Sequence, residues 1–279
     1  METTEQNKPL RIISYGGGVQ STALIVLAVQ GKIGHIDAAL FSNVGDDSEH
    51  PATNSFVREV AIPWAAERGL EVIELTPMRK GKPTTIYSEM MNPETRRDVI
   101  PVFGEKGNPL SRICTADYKI GTIHRWLKQH GTSKNNPATV CLGISTDEIE
   151  RAGRGVSKSF EIREYPLLDL NLNRTDCTQI IRDAGLPVPP KSSCFFCPFH
   201  SELVWSELRR DHPDLFWKAQ EMEDAVQQRK KDQGMRQVYL TRKGANTQSR
   251  LSDTIHEAGE TLFGSEIGVD GCDSGFCWT

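Results

Sequence analysis

Residues 14–22 read Ser-Tyr-Gly-Gly-Gly-Val-Gln-Ser-Thr, with three consecutive glycines followed by the hydroxyls of Ser21 and Thr22, set between a short apolar run and an apolar stretch of helix length. Glycines let backbone amides turn towards an oxyanion, and a helix N-terminus adds the positive end of its dipole. The spacing suits a phosphate or pyrophosphate. The loop lacks the lysine of Gly-x-x-x-x-Gly-Lys-Ser/Thr and the spacing of Gly-x-Gly-x-x-Gly, which argues against γ-phosphate transfer and dinucleotide binding. The alternative is a purely structural glycine turn. As a surface loop, it should accept a bulkier residue at Gly17 without unfolding while losing nucleotide.

Cysteine supplies the second chemistry. Cys114 follows Arg112-Ile113, and Ser193-Cys194-Phe195-Phe196-Cys197-Pro198 comes much later, with His200 three positions past Cys197. Three thiolates suit an iron–sulfur cluster; with His200 they would make a closed Cys3His zinc site; Cys194 and Cys197 alone would be a redox dithiol. Cys141 and Cys177 fall in apolar, periodic stretches and read as core. Cys272 and Cys277 lie in a glycine-rich tail, where Cys272 is the expected mobile nucleophile for a sulfur relay, a further ligand source, or simply part of an ordered end. Seven cysteines, an odd number, fit metal or redox use in a reducing compartment better than a disulfide framework.

Two acidic segments follow strand-like runs. Phe41-Ser42-Asn43-Val44-Gly45 leads into Asp46, Asp47 and Glu49, and Gly143-Ile144-Ser145-Thr146 leads into Asp147-Glu148 with Arg151 and Arg154 behind. In an open parallel sheet such strand ends face the ligand crevice. A carboxylate pair there would hold magnesium through water, whereas Glu148 and Arg151, three apart, would equally make a surface ion pair, and the first segment would equally be a solvated acidic turn.

The elements that must position these residues alternate. Leu10 to Tyr15, Ile36 to Phe41, Glu71 to Leu75 and Ala138 to Ile144 read as strands; Ser21 to Gln30, Pro51 to Arg68, Asp117 to His130 and Asp176 to Ala184 read as helices. Thr76 to Ser111 is rich in Pro, Gly and charge and is expected to be a lid or loop over the sheet edge. Ser201 to Gln233 reads as helix broken near His212-Pro213, after a boundary at Pro189-Pro190, so we expect domains at 1–190 and 191–279. No run suits a signal core or a membrane span, and cytoplasm is the expected compartment. A net charge of −4 argues against gripping nucleic acid with the whole surface, so any such contact must be local or made by a partner protein. The basic runs Arg229 to Lys231 and Arg236 to Lys243 read as solvated helix ends or polyanion contacts.

On these motifs the chain resembles the PP-loop ATP pyrophosphatase superfamily, in the branch of phosphoadenosine-phosphosulfate (PAPS) reductases and adenine nucleotide alpha hydrolases. The resemblance covers most of Leu10 to His200. It implies that Ser14, Gly16, Gly17, Gly18, Ser21 and Thr22 hold phosphate, that Asn43, Gly45 and Gly143 line the nucleotide, and that Lys119, Arg112 and Asp147 act in the chemistry with Cys272. Asn43 and Val44 replace the Asp and Thr of the family's Asp-Thr-Gly turn, Gln20 replaces an acidic residue, and Ser145 replaces the arginine of Gly-Ile-Arg-x-Asp-Glu. The cysteines resemble the Cys-Cys, long gap, Cys-x-x-Cys pattern that holds a 4Fe-4S cluster in adenylylsulfate reductases, with Thr115 in place of the second cysteine. Three thiolates are the arrangement of cluster-dependent tRNA thiolation enzymes.

The implied fold is α/β, a doubly wound, mainly parallel Rossmann-like sheet of the PP-loop (HUP) type with a helical C-terminal extension. The implied function is cleavage of ATP to AMP and pyrophosphate, with an adenylylated acceptor receiving sulfur in tRNA thiolation or DNA phosphorothioation. Its cofactors are ATP, a 4Fe-4S cluster with zinc as alternative, and magnesium; its partners are a sulfur donor or cysteine desulfurase, a nucleic-acid acceptor and a second copy of the chain. The rivals are a PAPS or adenylylsulfate reductase, disfavoured because the tail lacks Glu-Cys-Gly-Leu-His, and a zinc-stapled nucleotide-binding regulatory subunit.

Overall fold

A computed structural model describes residues 8–153 and 157–255. Five strands, β1 (Arg11–Tyr15), β2 (Ala38–Ser42), β3 (Val72–Leu75), β4 (Ala138–Cys141) and β5 (Glu161–Glu164), form a wholly parallel sheet in the order β3-β2-β1-β4-β5. The α/β doubly wound expectation holds. The chain runs outward from β1 to β3, then returns to the other side of β1, so the topological switch lies between β1 and β4.

Neighbouring residues of β1 explain the double burial. Ile13, with Ala39, Phe41 and Cys141, packs under α1 (Val19–Val29) and the later helix Arg174–Asp183, whereas Ile12, with Leu40 and Val140, packs against Ile123 and Leu127 on the opposite face. Strands covered on both faces need apolar residues without alternation. Helix α1 is buried continuously from Val19 to Leu27, because it lies on the sheet and is itself covered.

Helix α2 spans 51–66 and includes a π-helical stretch, Phe56–Ala61, and a short helix α3 (Ile86–Met91) follows. A second π-helical stretch, Cys114–Ile120, opens α4 (Gly121–Gln129). After β5 come α5 (Pro166–Asp169), α6 (Arg174–Asp183), α7 (Glu202–Asp211) and α8 (Pro213–Asp232), the last two divided at His212 where Pro213 cannot continue the first. Helices α9 (Arg242–Thr247) and α10 (Leu251–Thr254) complete the C-terminal helical region.

One expectation changes and one strand is new. Residues 76–111 are not a lid over the sheet edge: Ile86, Met90, Val99, Ile100 and Val102 join Phe195, Phe196, Trp205, Phe216 and Met222 in a second apolar core, and Phe103–Gly104 pairs antiparallel with Val238–Tyr239. The apolar run 99–102, hidden among polar neighbours, supplies the driving force. That core draws on residues from both sides of position 190. Strand β5 is also unanticipated, because its pattern is inverted: Ile162 is 51% exposed while Glu161 is buried, held by Arg163 Nε at 2.8 Å and lying 2.5 Å from His124 Nε2. Burial raises the Glu161 pKa, but the hydrogen bonds and charges of His124 and Arg163 outweigh it and hold the carboxyl below its usual value.

Candidate functional site

The glycine loop stands at the carboxyl end of β1, beside the switch point. Gly18 is the N-cap of α1, no side chain caps that end, and no acidic residue lies in the first turn. The orphan amides of a helix start are therefore left for a ligand. Gly16 is exposed and has room, since a methyl group there would come only within 3.9 Å of Ser21 Oγ. Ser21 Oγ accepts from the Gly16 amide at 3.2 Å and donates to the Gly18 carbonyl, which closes the loop on itself.

Gly17 behaves differently from expectation. It is buried, adopts φ 78°, and a methyl group on it would sit 3.0 Å from Thr53 Cγ2 and 3.2 Å from Val57 Cγ2. A bulkier residue there would disturb the packing of α2 as well as the ligand. Thr22 also faces inward, 1% exposed with Oγ1 3.3 Å from the Tyr15 hydroxyl, so its side chain is part of the core. Ser14 belongs to β1, opposite Leu40 in register, rather than to the loop.

The walls of the crevice come from four directions. After β4, Gly143 approaches so closely that a methyl group would lie 2.9 Å from the Ser21 amide nitrogen. Its role is thus to let two backbones touch. From the other end of the chain, the Ser192 hydroxyl donates to the Gly16 carbonyl. Sequence reasoning missed Ser192, for a small hydroxyl before the cysteine pair carries no periodic signal. Gln20, 3% exposed, accepts from Arg174 Nη1 at 3.1 Å. After β2, Asn43 spends both amide hydrogens on Asp46 Oδ1 at 2.8 Å and Glu74 Oε1 at 2.7 Å, while its Oδ1 accepts from the Gly45 amide. Asn43 and Gly45 thus build the turn itself; Arg58, hydrogen-bonded to Asp46 and Glu74, holds both carboxyls below their usual pKa.

The expected magnesium pair is turned to separate partners. Asp147 accepts from the Arg174 backbone amide at the start of α6, at 3.2 and 3.1 Å. Glu148 is buried and 2.5 Å from Arg151 Nη1, itself 2% exposed, so this is neither a surface ion pair nor an open carboxylate. Burial raises the Glu148 pKa against the pull of Arg151.

The thiol turn is tied to the loop between β2 and α2. Glu49 and Cys194 form an antiparallel bridge, flanked by hydrogen bonds from the His50 amide to Ser193 O and from the Phe195 amide to Ser48 O. The Cys194 to Cys197 turn closes with the Cys197 amide donating to Cys194 O at 3.1 Å. Cys114 and Cys194, both partly exposed, pack against the second core; Cys197 is buried. Lys119, in the π-helical stretch opened by Cys114, lies 3.5 Å from Glu49 Oε1, and Glu49 is 1% exposed. Arg112 stacks over the Phe199 ring at 4.6 Å. Both expected cations therefore lie beside the thiol segments.

Thiolates suit a soft metal. Burial, with Lys191 and His50 adding to it, pushes the His200 imidazole down to about 3, and its Nδ1 has no hydrogen-bond partner while Nε2 is 3.0 Å from Ser193 Oγ. Yet among the described residues no group of three or more His, Cys, Asp or Glu side chains is arranged to hold a metal ion. The donor chemistry fits; a complete ligand set is not formed among these residues. Cys272, Cys277 and Arg154 lie outside the described residues. Cys141 and Cys177 are core cysteines as expected, fully buried, their thiols pushed up to about 12 by desolvation.

Among the described residues no helix is long and apolar enough to cross a membrane. No protein-family model matches the chain, and no curated protein matches it significantly. Among solved structures, the U34-tRNA thiolase NcsA from Methanococcus maripaludis, determined with its 4Fe-4S cluster, is similar at a TM-score of 0.40 and 14% identity, over 79% of this chain and 73% of that one.

Proposed function

We propose that the chain binds ATP on the 16–21 loop, transfers the adenylyl group to an acceptor oxygen, and supports displacement of AMP by sulfur. The observation that carries this reading is the uncapped N-terminus of α1 opening beside exposed Gly16 at the sheet's switch point. An acceptor oxygen attacks the α-phosphorus, the bond to the β-phosphate oxygen breaks, and pyrophosphate leaves. A sulfur nucleophile then attacks the activated acceptor carbon, and AMP departs with the oxygen. Backbone amides of the loop and of α1 would take the negative charge of the departing pyrophosphate.

The proximity of thiols supports the sulfur half. Lys119 is anchored by Glu49, whose backbone is bridged to Cys194, so one cation and one thiol are positioned by a single residue. Lys119 and Arg112 would neutralise charge developing near the thiols. Magnesium enters with the nucleotide in this reading, since Asp147 and Glu148 are engaged by Arg174 and Arg151. A 4Fe-4S cluster, with zinc as the alternative, rests on the donor chemistry of Cys114, Cys194 and Cys197. The acceptor is a nucleic acid, held locally because the net charge is −4.

Chromatography of products from ATP labelled at the α-phosphate tests the first step. AMP and pyrophosphate, formed in the presence of acceptor, are expected. Formation of ADP and phosphate alone would remove the proposal.

A further inference from the structure

A cavity of about 250 Å³ lies apart from the glycine loop, against the π-helical stretch Cys114–Ile120. Its wall includes three guanidinium groups, Arg79, Arg97 and Arg125, with Thr84, Asp117 and Tyr118. Three guanidinium groups sharing one small concavity leave it net positive unless each is matched by a carboxylate.

The bookkeeping of charge leaves one cation over. Arg97 Nη2 is 2.5 Å from Asp117 Oδ2, and Arg79 is paired with Glu89. Arg125 donates to the Met78 carbonyl at 3.0 Å and makes no ion pair among the described residues, although Asp117 shares the cavity wall with it. Tyr118 is 4% exposed, sits beside Thr84 and Arg79, and its hydroxyl pKa is raised chiefly by burial, which keeps it a hydrogen-bond donor. Guanidinium forks with hydroxyl donors match the oxygens of a phosphate, which can take bidentate Arg bonds and a hydroxyl bond together, and offer nothing to an apolar ligand.

We propose that this cavity binds a phosphate group, supplied either by the backbone of a single-stranded nucleic acid or by a free nucleotide. Ala116, Asp117 and Tyr118 line it, two to four positions along the same stretch from Cys114. A nucleic acid seated here would thus be held beside the thiol segment, which deepens the proposed function by giving its acceptor a docking point. The cavity does not depend on the ATP step, since none of its residues belongs to the loop or the thiol turn.

Arg125→Gln is the informative variant because it breaks no ion pair. Its affinity for a short fluorescent single-stranded RNA is expected to fall by about 5- to 10-fold, and the slope of log affinity against log salt to fall by about one. Arg125→Lys keeps the charge and should recover the slope with only part of the affinity. If RNA binding is unchanged while inorganic phosphate at millimolar concentration shifts the Arg125 Nε–H resonance of the wild-type protein, the phosphate comes from a free nucleotide and the site stands. Unchanged RNA binding together with an unmoved resonance overturns it. ATP cleavage, read in parallel, is expected to be unaffected in Arg125→Gln, so failure of the cavity and failure of the loop are told apart.

Discussion

Glu49 and Cys194, far apart in sequence, are paired in an antiparallel bridge, and the Glu49 carboxylate reaches Lys119 at 3.5 Å. The loop after β2, the cysteine turn and the stretch that follows Cys114 therefore meet at one residue. Because Glu49 is 1% exposed, its charge requires that cation, and the cation is in turn fixed in place. The backbone hydrogen bonds between 48–50 and 193–195 tie the thiol turn to the loop that joins β2 to α2.

The three glycines of the crevice should respond differently to added side chains. A Cβ at Gly16 makes only an ordinary contact, 3.9 Å from Ser21 Oγ, so Gly16→Val should weaken ATP binding at least ~10-fold with thermal stability near that of the wild type. Gly143→Ala should cost about 1–3 kcal/mol in chemical denaturation, since a methyl group lies 2.9 Å from the Ser21 nitrogen. Gly17→Ala, strained by its φ of 78° and by Thr53, should lose stability and nucleotide together. Equal stability in all three variants would remove this account of the loop.

Thiol reactivity separates structural from exposed cysteines. At pH 8 the thiols of Cys141 and Cys177, pushed to about 12, remain protonated and buried, and should resist alkylation in the native protein. Cys114 and Cys194, both partly exposed, should be modified before Cys141 and Cys177. Peptide mass spectrometry after brief iodoacetamide treatment reads the order directly.

Anaerobic reconstitution with iron and sulfide should give a brown protein that loses its absorbance when Cys114, Cys194 or Cys197 is changed to Ala and keeps it when Cys177 is changed. Stoichiometric zinc in the colourless, anaerobically prepared protein would select the alternative. His200→Ala distinguishes them further, because loss of the Nδ1 atom that lacks a partner should weaken a Cys3His zinc site far more than a three-thiolate cluster.

Glu223 joins α8 to the C-terminal segments, accepting from the Leu240 amide at 2.8 Å and the Leu251 amide at 2.6 Å. Burial raises its pKa to about 7 despite those hydrogen bonds. The folded state therefore holds a proton that the unfolded chain releases near 4.5. Its contribution to stability is full below pH ~4.5 and declines as pH rises through ~7, by up to about 3 kcal/mol. Denaturant titrations of the wild type and Glu223→Gln across pH 4 to 8 should show a difference that changes with pH in this sense; a constant difference would refute it.

Apolar runs at 10–15, 36–41, 71–75 and 138–144, with helix-length segments between them, determine a parallel α/β sheet from sequence alone, because strands buried on both faces and their covering helices leave unmistakable hydrophobic patterns. The glycine loop was legible for the same local reason: a strand, a turn and a helix start lie within nine residues. Strand β5 was not, since Glu161 is buried by partners, His124 and Arg163, that no local pattern reveals. Only tertiary structure separated Gly16 from Gly17, turned Thr22 inward, and divided Asp147 and Glu148 between Arg174 and Arg151. It also set Ser192 on the loop and Cys194 on Glu49. These relations depend on which distant segments meet at the sheet's edge, and the free energy that selects them comes from burial and hydrogen bonding across the whole chain rather than from any one stretch of it.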